Sequence, residues 1–305
     1  MVCSATVMKG YLHSGYAASL SEFGTPISLP ESDGWLLQRP IWKTGLVDAM
    51  GPYPLFCCQN WARLPLDLMG LAGRIVSVSI VTDPFGNYTG DLLERCFDRV
   101  LRFKEHFVSD LSSDSVIGSS HHRYYARWAL RRLAVDRVDA PARYLEEWIK
   151  LYQILIEQKN LVGIHRFSVD CFRKQFEIPG LVMFKAEYNG KIVGAQLWFL
   201  QDKVAYSHLQ ATSHEGYKLR APYALYSTAI SSFRNEVRWL ALGSGAGIYN
   251  QNYGLTKFKR EWATGTKPVF LCGRICDPAR YSELVASVST AGQTNFFPEY
   301  RALRR

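Results

Sequence analysis

LVMFKAEYNGKIVGAQLWFLQDKVAYSHLQA, residues 181 to 211, carries the fold class. Three runs rich in β-branched and aromatic residues follow one another: Leu181 to Glu187, Lys191 to Leu200 and Lys203 to Ala211. Asn189-Gly190 separates the first two and Gln201-Asp202 the last two. Two-residue links of this kind suit tight hairpins, because Asn and Gly reach positive φ at little cost. An antiparallel meander is therefore predicted. Downstream the apolar period changes to that of a helix, from about Leu219 to Arg234, with Pro222, Leu225, Tyr226, Ala229, Ile230 and Phe233 as its stripe. A short strand (Val237 to Leu242), a glycine-rich loop (GSGAGIYNQNYG), a helix (Leu255 to Ala263) and a strand (Pro268 to Cys272) complete the series. This order predicts an α/β fold with a mixed sheet.

Upstream, a helix is predicted from about Pro141 to Lys159, with Asp139 as its cap and proline tolerated in the first turn. Leu145, Trp148, Ile149, Tyr152, Leu155 and Ile156 form one apolar stripe on it, which reads as core packing. The first half repeats the pattern more loosely. Trp35 to Ile41, Leu55 to Gln59 and Ile75 to Thr82 read as strands, Asp83 to Asn87 as a turn, and Gly90 to about Ser109 as a helix. Residues 1 to 34 read as irregular, with one short helix at most. The expectation is two similar α/β lobes: 1–160, degenerate and ending in a basic linker (120–143) and the 141–159 helix, and 161–305.

The chain has 305 residues, 48% hydrophobic and 21% charged, enough to build a core and to exclude wholesale disorder. No apolar run approaches the roughly 20 residues of a membrane helix, and MVCSATVMKGYLHSGY lacks the features of a signal peptide. A cytoplasmic protein without membrane association is expected. The seven cysteines are odd in number and scattered, and Cys272 and Cys276 have no second Cys or His pair at zinc-ribbon distance. They read as structural thiols, and no metal is expected.

The formal net charge is +9, a balance that favours polyanionic partners. Part of it is local: between Arg123 and Arg143 six arginines stand against two aspartates. On a helix, Arg123, Arg127 and Arg131 share one face, with Tyr124, Tyr125 and Trp128 among them. Guanidinium groups interleaved with rings suit a phosphate backbone with stackable bases; a solvated helix face with buried rings is the other reading.

Five stretches in order carry a likeness to known proteins: HRYYARWALRRLAV (122 to 135), YLEEWIKLYQILIEQKNLVGIHRFSVDCFRKQF (144 to 176), EYNGKIVGAQLWF (187 to 199), LQATSHEGYKLRAPYALYSTAI (209 to 230) and GLTKFKREWATG (254 to 265). They resemble the GNAT acyltransferase superfamily and, more narrowly, the Fem family of aminoacyl-tRNA-dependent transferases, which carry two GNAT-like lobes in tandem. The likeness covers roughly residues 120 to 270; the first 110 match poorly. It implies transfer of an acyl or aminoacyl group from an activated carrier to an amine. Attack of a neutral amine on an ester or thioester needs an oxyanion donor and a proton acceptor. GNAT enzymes hold the coenzyme A pyrophosphate in an [RQ]-x-x-G-x-[GA] turn at a helix start. No full match occurs here. The nearest, Gln251 to Thr256, ends in Thr and lies after the wrong strand, while Gly216 to Pro222, at the expected place, lacks the glycine spacing.

The resemblance makes Lys259 the lysine of the family's FK pair, an ammonium for the ester carbonyl or the terminal ribose. His208 and Tyr206 alternate onto one strand face, where His208 reads either as a proton acceptor or as a satisfied sheet histidine. Arg123, Arg127, Arg131, Arg132, Lys218, Arg220, Lys257 and Arg260 are candidate tRNA contacts. Trp42, Lys43, Asp48, Tyr53 and Trp61 stand in loops where an acceptor pocket is expected, between lobes, if the family's placement holds. The expected function is amide formation by transfer of an aminoacyl group from aminoacyl-tRNA, a co-substrate, to an amine of a small-molecule, natural-product acceptor, with no resident cofactor. The alternatives are an acyl-coenzyme A-dependent N-acyltransferase and a basic RNA-binding module without catalysis.

Overall fold

In a computed structural model that describes residues 8–112, 116–245, 253–288 and 296–302, the three predicted runs pair as a meander. The strands in chain order are β1 (Thr25–Leu29), β2 (Gly34–Pro40), β3 (Val47–Met50), β4 (Ser77–Val81), β5 (Arg99–Asp110), β6 (Ala134–Val138), β7 (Leu181–Tyr188), β8 (Lys191–Gln201), β9 (Val204–Thr212), β10 (Trp239–Gly243) and β11 (Gly265–Ile275). The α-helices are α1 (Ser14–Ser19), α2 (Leu64–Met69), α3 (Gly90–Cys96), α4 (Ser120–Leu130), α5 (Leu145–Lys159), α6 (Val169–Gln175), α7 (His214–Lys218), α8 (Ala221–Phe233), α9 (Tyr253–Trp262) and α10 (Pro278–Ser287). Asn189 and Gly190 both have positive φ, as a tight hairpin requires. The second turn lies one residue later than expected: Gln201 pairs with Val204, and Asp202 takes φ 52°.

The chain forms two compact units, Met1–Gly15 with Glu105–Lys267 and Tyr16–Lys104 with Pro268–Arg305. This differs from the expected halves 1–160 and 161–305, and strand pairing is the reason. β6 pairs with β7, so the basic segment and the helix after it belong with the meander. β11 pairs with β4, which joins the last part of the chain to the first-half strands.

In the meander unit the strands run β5-β10-β9-β8-β7-β6, with β10 and β9 parallel and the other pairs antiparallel. Helix α8 sends Ala224, Leu225, Tyr226, Ala229 and Phe233 into a core with Phe184, Trp198 and Leu240. Each such Leu or Phe contributes about 1.5–3 kcal/mol by burial. Helix α5 packs on β8 and β9. In the other unit β1-β2-β3-β4-β11 form the strand series, with β3 and β4 parallel.

Several local expectations yield to longer-range pairing. The helix expected from Gly90 to Ser109 ends at Cys96, and a twelve-residue strand follows. Val108, Ser109 and Asp110 pair with β10, and this partner overrides the helical spacing of Val100, Phe103 and Phe107. Residues 25 to 29, read as irregular, form a hairpin with β2. Among the described residues Leu55 to Gln59 makes one bridge, Phe56 with Thr82. Asp139 does not cap α5; it pairs with Arg137, while a 3-10 turn, Pro141–Tyr144, leads into the helix.

Candidate functional site

The parallel pair β9 and β10 is joined, among the described residues, only from Trp239/Val204 to Ala241/Tyr206. β9 then continues to Thr212 alongside β8, and β10 ends at Gly243. The sheet therefore opens at this end, and Lys259 stands there. Phe258 and Trp262 of α9 pack on the core, which sets the helix's rotation. Lys259 Nζ donates to the Ser244 carbonyl at 3.0 Å. Gly243 has φ 74°, and a Cβ there would lie 3.3 Å from Nζ, so a side chain at this position would crowd the ammonium. Of the glycine-rich loop 243 to 247, the last two positions lie outside the described residues, as do Gln251 and Asn252 of the nearest match to the pyrophosphate turn.

His208 and Tyr206 do share a face, but it is closed. Both rings pack against Tyr11, at 5.8 and 5.5 Å between centroids. His208 Nδ1 lies 3.1 Å from the Tyr11 hydroxyl, and Nε2 3.1 Å from Gln175 Oε1. Gln175 is itself fully buried. Burial lowers the His208 pKa to about 3, so the ring is neutral and holds the sheet to its neighbours. Of the two readings of His208, the buried, hydrogen-bonded ring has the surroundings of the satisfied sheet histidine, and Tyr206 packs beside it. The sign of its linkage follows: the folded pKa lies below the ordinary 6.5, so between them the unfolded chain binds the extra proton. Stability is expected to fall as pH drops from about 6.5 towards 3, and His208→Gln to flatten that dependence in pH-resolved denaturant unfolding.

The basic candidates of the meander unit divide by role. Arg123 and Arg127 lie one turn apart on α4, and Arg131 is its C-cap. The Arg123 guanidinium donates to the Gly118 carbonyl, and that of Arg132 lies 3.8 Å above the Trp128 ring. Arg127, Arg131, Lys218, Arg220, Lys257 and Arg260 are exposed. Arg220 has φ 58° at the start of α8, and its guanidinium lies 4.9 Å over Tyr125. Helices α4, α8 and α9 meet here around a pocket of about 450 Å³ lined by His121, His122, Tyr223, Lys257, Phe258 and Glu261. Gly118 (φ 87°) permits the packing, because a Cβ there would lie 2.5 Å from the Trp262 ring.

His122, which the sequence reading missed, is the buried polar group of this pocket. Its Nδ1 is 3.2 Å from the Ser119 hydroxyl that caps α4. Among the described residues Nε2 has no partner of hydrogen-bonding geometry, while the Phe258 backbone acts on the ring. Burial lowers the His122 pKa, against the pull of Glu261. The Ser119 cap three residues ahead of a histidine was the available signal, since it sets His122 in the first turn of α4.

The acceptor candidates do not converge. Asp48 is 1% exposed and serves as a hub: it accepts from Arg39 Nε (3.1 Å), Arg301 Nη2 (3.0 Å) and the Tyr300 hydroxyl (3.1 Å). Trp61 is buried between Phe56 and Tyr88. Both are thereby corrected to structural residues. Trp42 is half-buried with its ring edge-on to Tyr300, the Tyr53 carbonyl accepts from Tyr16, and Lys43 is exposed. Burial raises the thiol pKa of Cys272 to about 12 and of Cys276 to about 11. Among the described residues no cluster of three His, Cys, Asp or Glu could hold a metal ion, and no helix is long and apolar enough to cross a membrane.

The open parallel pair, the meander and the helix between β9 and β10 define a mixed α/β fold. No family model and no curated protein matches the sequence. Among solved structures, the chain is similar to FemX at 14% identity, over 85% of this chain and 90% of that one, with a TM-score of 0.64. The C-terminal domain of a putative lysylphosphatidylglycerol synthetase from Agrobacterium fabrum matches at 14% identity over 87% and 88%, TM-score 0.63. L-PGS from Bacillus licheniformis matches at 13% identity over 89% and 95%, TM-score 0.59. These likenesses establish the fold.

Proposed function

We propose that the protein is a cytoplasmic aminoacyltransferase that moves an aminoacyl group from aminoacyl-tRNA to an amine of a small-molecule acceptor. The observation that carries this choice of donor is the segment between β9 and α8, where a coenzyme A pyrophosphate would need free backbone N–H groups. Here α7 occupies that segment. The amides of Gly216, Tyr217, Leu219, Arg220 and Tyr223 all donate within it, and Pro222 has none. The exposed cations on α4, α7, α8 and α9 favour a polyanionic carrier instead. Similarity to FemX, and to a putative synthetase named for an aminoacylated lipid, supports the reading.

In the reaction the amine nitrogen attacks the ester carbonyl carbon; the C–N bond forms and the C–O bond to the ribose breaks. The Lys259 ammonium meets the oxyanion as it develops. With His208 sealed in the core, the proton leaving the amine passes to the departing ribose oxygen. Arg127, Arg131, Lys218, Arg220, Lys257 and Arg260 hold the RNA backbone. Titration against charged tRNA, uncharged tRNA and acetyl-coenzyme A at two salt concentrations tests the donor. The expected result is preference for charged tRNA with affinity falling steeply in salt. Tight coenzyme A binding with weak, unselective RNA affinity would overturn it.

A further inference from the structure

Three polar side chains line the α4–α8–α9 pocket: His122, Lys257 and Glu261, and the charges of the last two both act on the His122 ring. His122 is 4% exposed, with Ser119 at its Nδ1 and the Phe258 backbone and the Glu261 charge acting on its ring. The floor is aromatic. The His122 and Tyr223 ring centroids are 4.9 Å apart, those of His122 and Phe258 5.1 Å, and those of Tyr223 and Phe258 5.1 Å. Tyr125 extends this surface, 5.3 Å from Tyr223, with Arg220 above it.

This content selects a ligand class. A simple cation would meet Lys257 and Arg220, and a simple anion would meet Glu261. A neutral planar ring with a donor edge, attached to phosphate, satisfies all three: it stacks on the floor, gives its edge to the carboxylate and lays its phosphates on the cations. We propose that the pocket holds one unpaired nucleobase bearing an exocyclic amino group, with Glu261 accepting from that group, His122 Nε2 bonding the ring edge, and Lys257 and Arg220 meeting the flanking phosphates. The proposal rests on the RNA-donor reading and adds to it where a base of the strand docks.

The test uses AMP, CMP, UMP and inorganic phosphate as probes, titrated into the whole protein while tyrosine and tryptophan fluorescence is followed. AMP and CMP are expected to bind at least about fivefold tighter than UMP, since only they offer an amino group to the carboxylate. Phosphate alone is expected to bind more weakly than any of them. Glu261→Leu, which has no acceptor and is checked for folding by circular dichroism, is expected to remove the preference; the wild-type comparison stands even if that variant does not fold. Equal binding of AMP, CMP and UMP, or a preference that survives in Glu261→Leu, overturns the pocket assignment. Charged tRNA titrated in parallel separates the two ideas. If tRNA binds while the mononucleotides show no preference, the pocket assignment alone fails; if tRNA does not bind, the donor reading fails with it.

Discussion

Lys259→Ala is expected to lower the rate of transfer about 10²–10³-fold, with tRNA affinity changed by no more than a few-fold. The expectation rests on position. The ammonium lies beside Gly243, where β9 and β10 have parted, and donates to the Ser244 carbonyl. The loss should fall on kcat, because the oxyanion exists only beyond the ground state. Lys259→Arg keeps the charge but changes its shape and reach, and should recover part of the rate. Single-turnover transfer from charged tRNA, alongside thermal unfolding of each variant, distinguishes this from a structural role. Unchanged transfer in Lys259→Ala would remove the lysine from the mechanism.

Asp48→Ala should destabilise its unit by about 3–5 kcal/mol, the cost of breaking a buried charge cluster by removing one partner. The carboxylate faces Arg39 and Arg301 together and takes the Tyr300 hydroxyl, which also lies 2.7 Å from Ser77 Oγ. Burial, with the Asp48 charge next, pushes the Tyr300 pKa strongly up, so the phenol stays a donor and cannot replace the lost charge. Without Asp48 two guanidinium groups are left facing each other with their counter-charge gone. Denaturant unfolding of the variant measures the change. A loss below about 1 kcal/mol would show that the cluster is not a stabilising hub and would return Asp48 to the acceptor candidates.

Much of the meander unit was legible because its signals are local. Asn189-Gly190 specifies a hairpin through its own φ angles. The stripe of α8 matches the residues that reach the core, and Arg123 and Arg127 share a helix face because four residues make about one turn. Lys259 was named through the family resemblance that GLTKFKREWATG carries. His122 was passed over: the Ser119 cap could place it in the first turn of α4, but its burial comes from α8 and α9 packing beside it.

What the amino-acid order determined by itself was each segment's preferred conformation, the basic balance of α4 and the turn chemistry of the meander. Burial and long-range partners were decided only by the tertiary structure. Residues 99 to 110 became a strand because β10, some 130 positions away, offers a ladder. The units divided as they did because β6 found β7 and β11 found β4. His208 and Asp48 carry the residue types of a reactive site, and their sequence neighbourhoods suggest one. Tyr11 with Gln175 in one case, and Arg39 with Arg301 in the other, enclose them instead. A side chain's pKa and reach depend on what surrounds it in space, and that is settled only when distant segments meet.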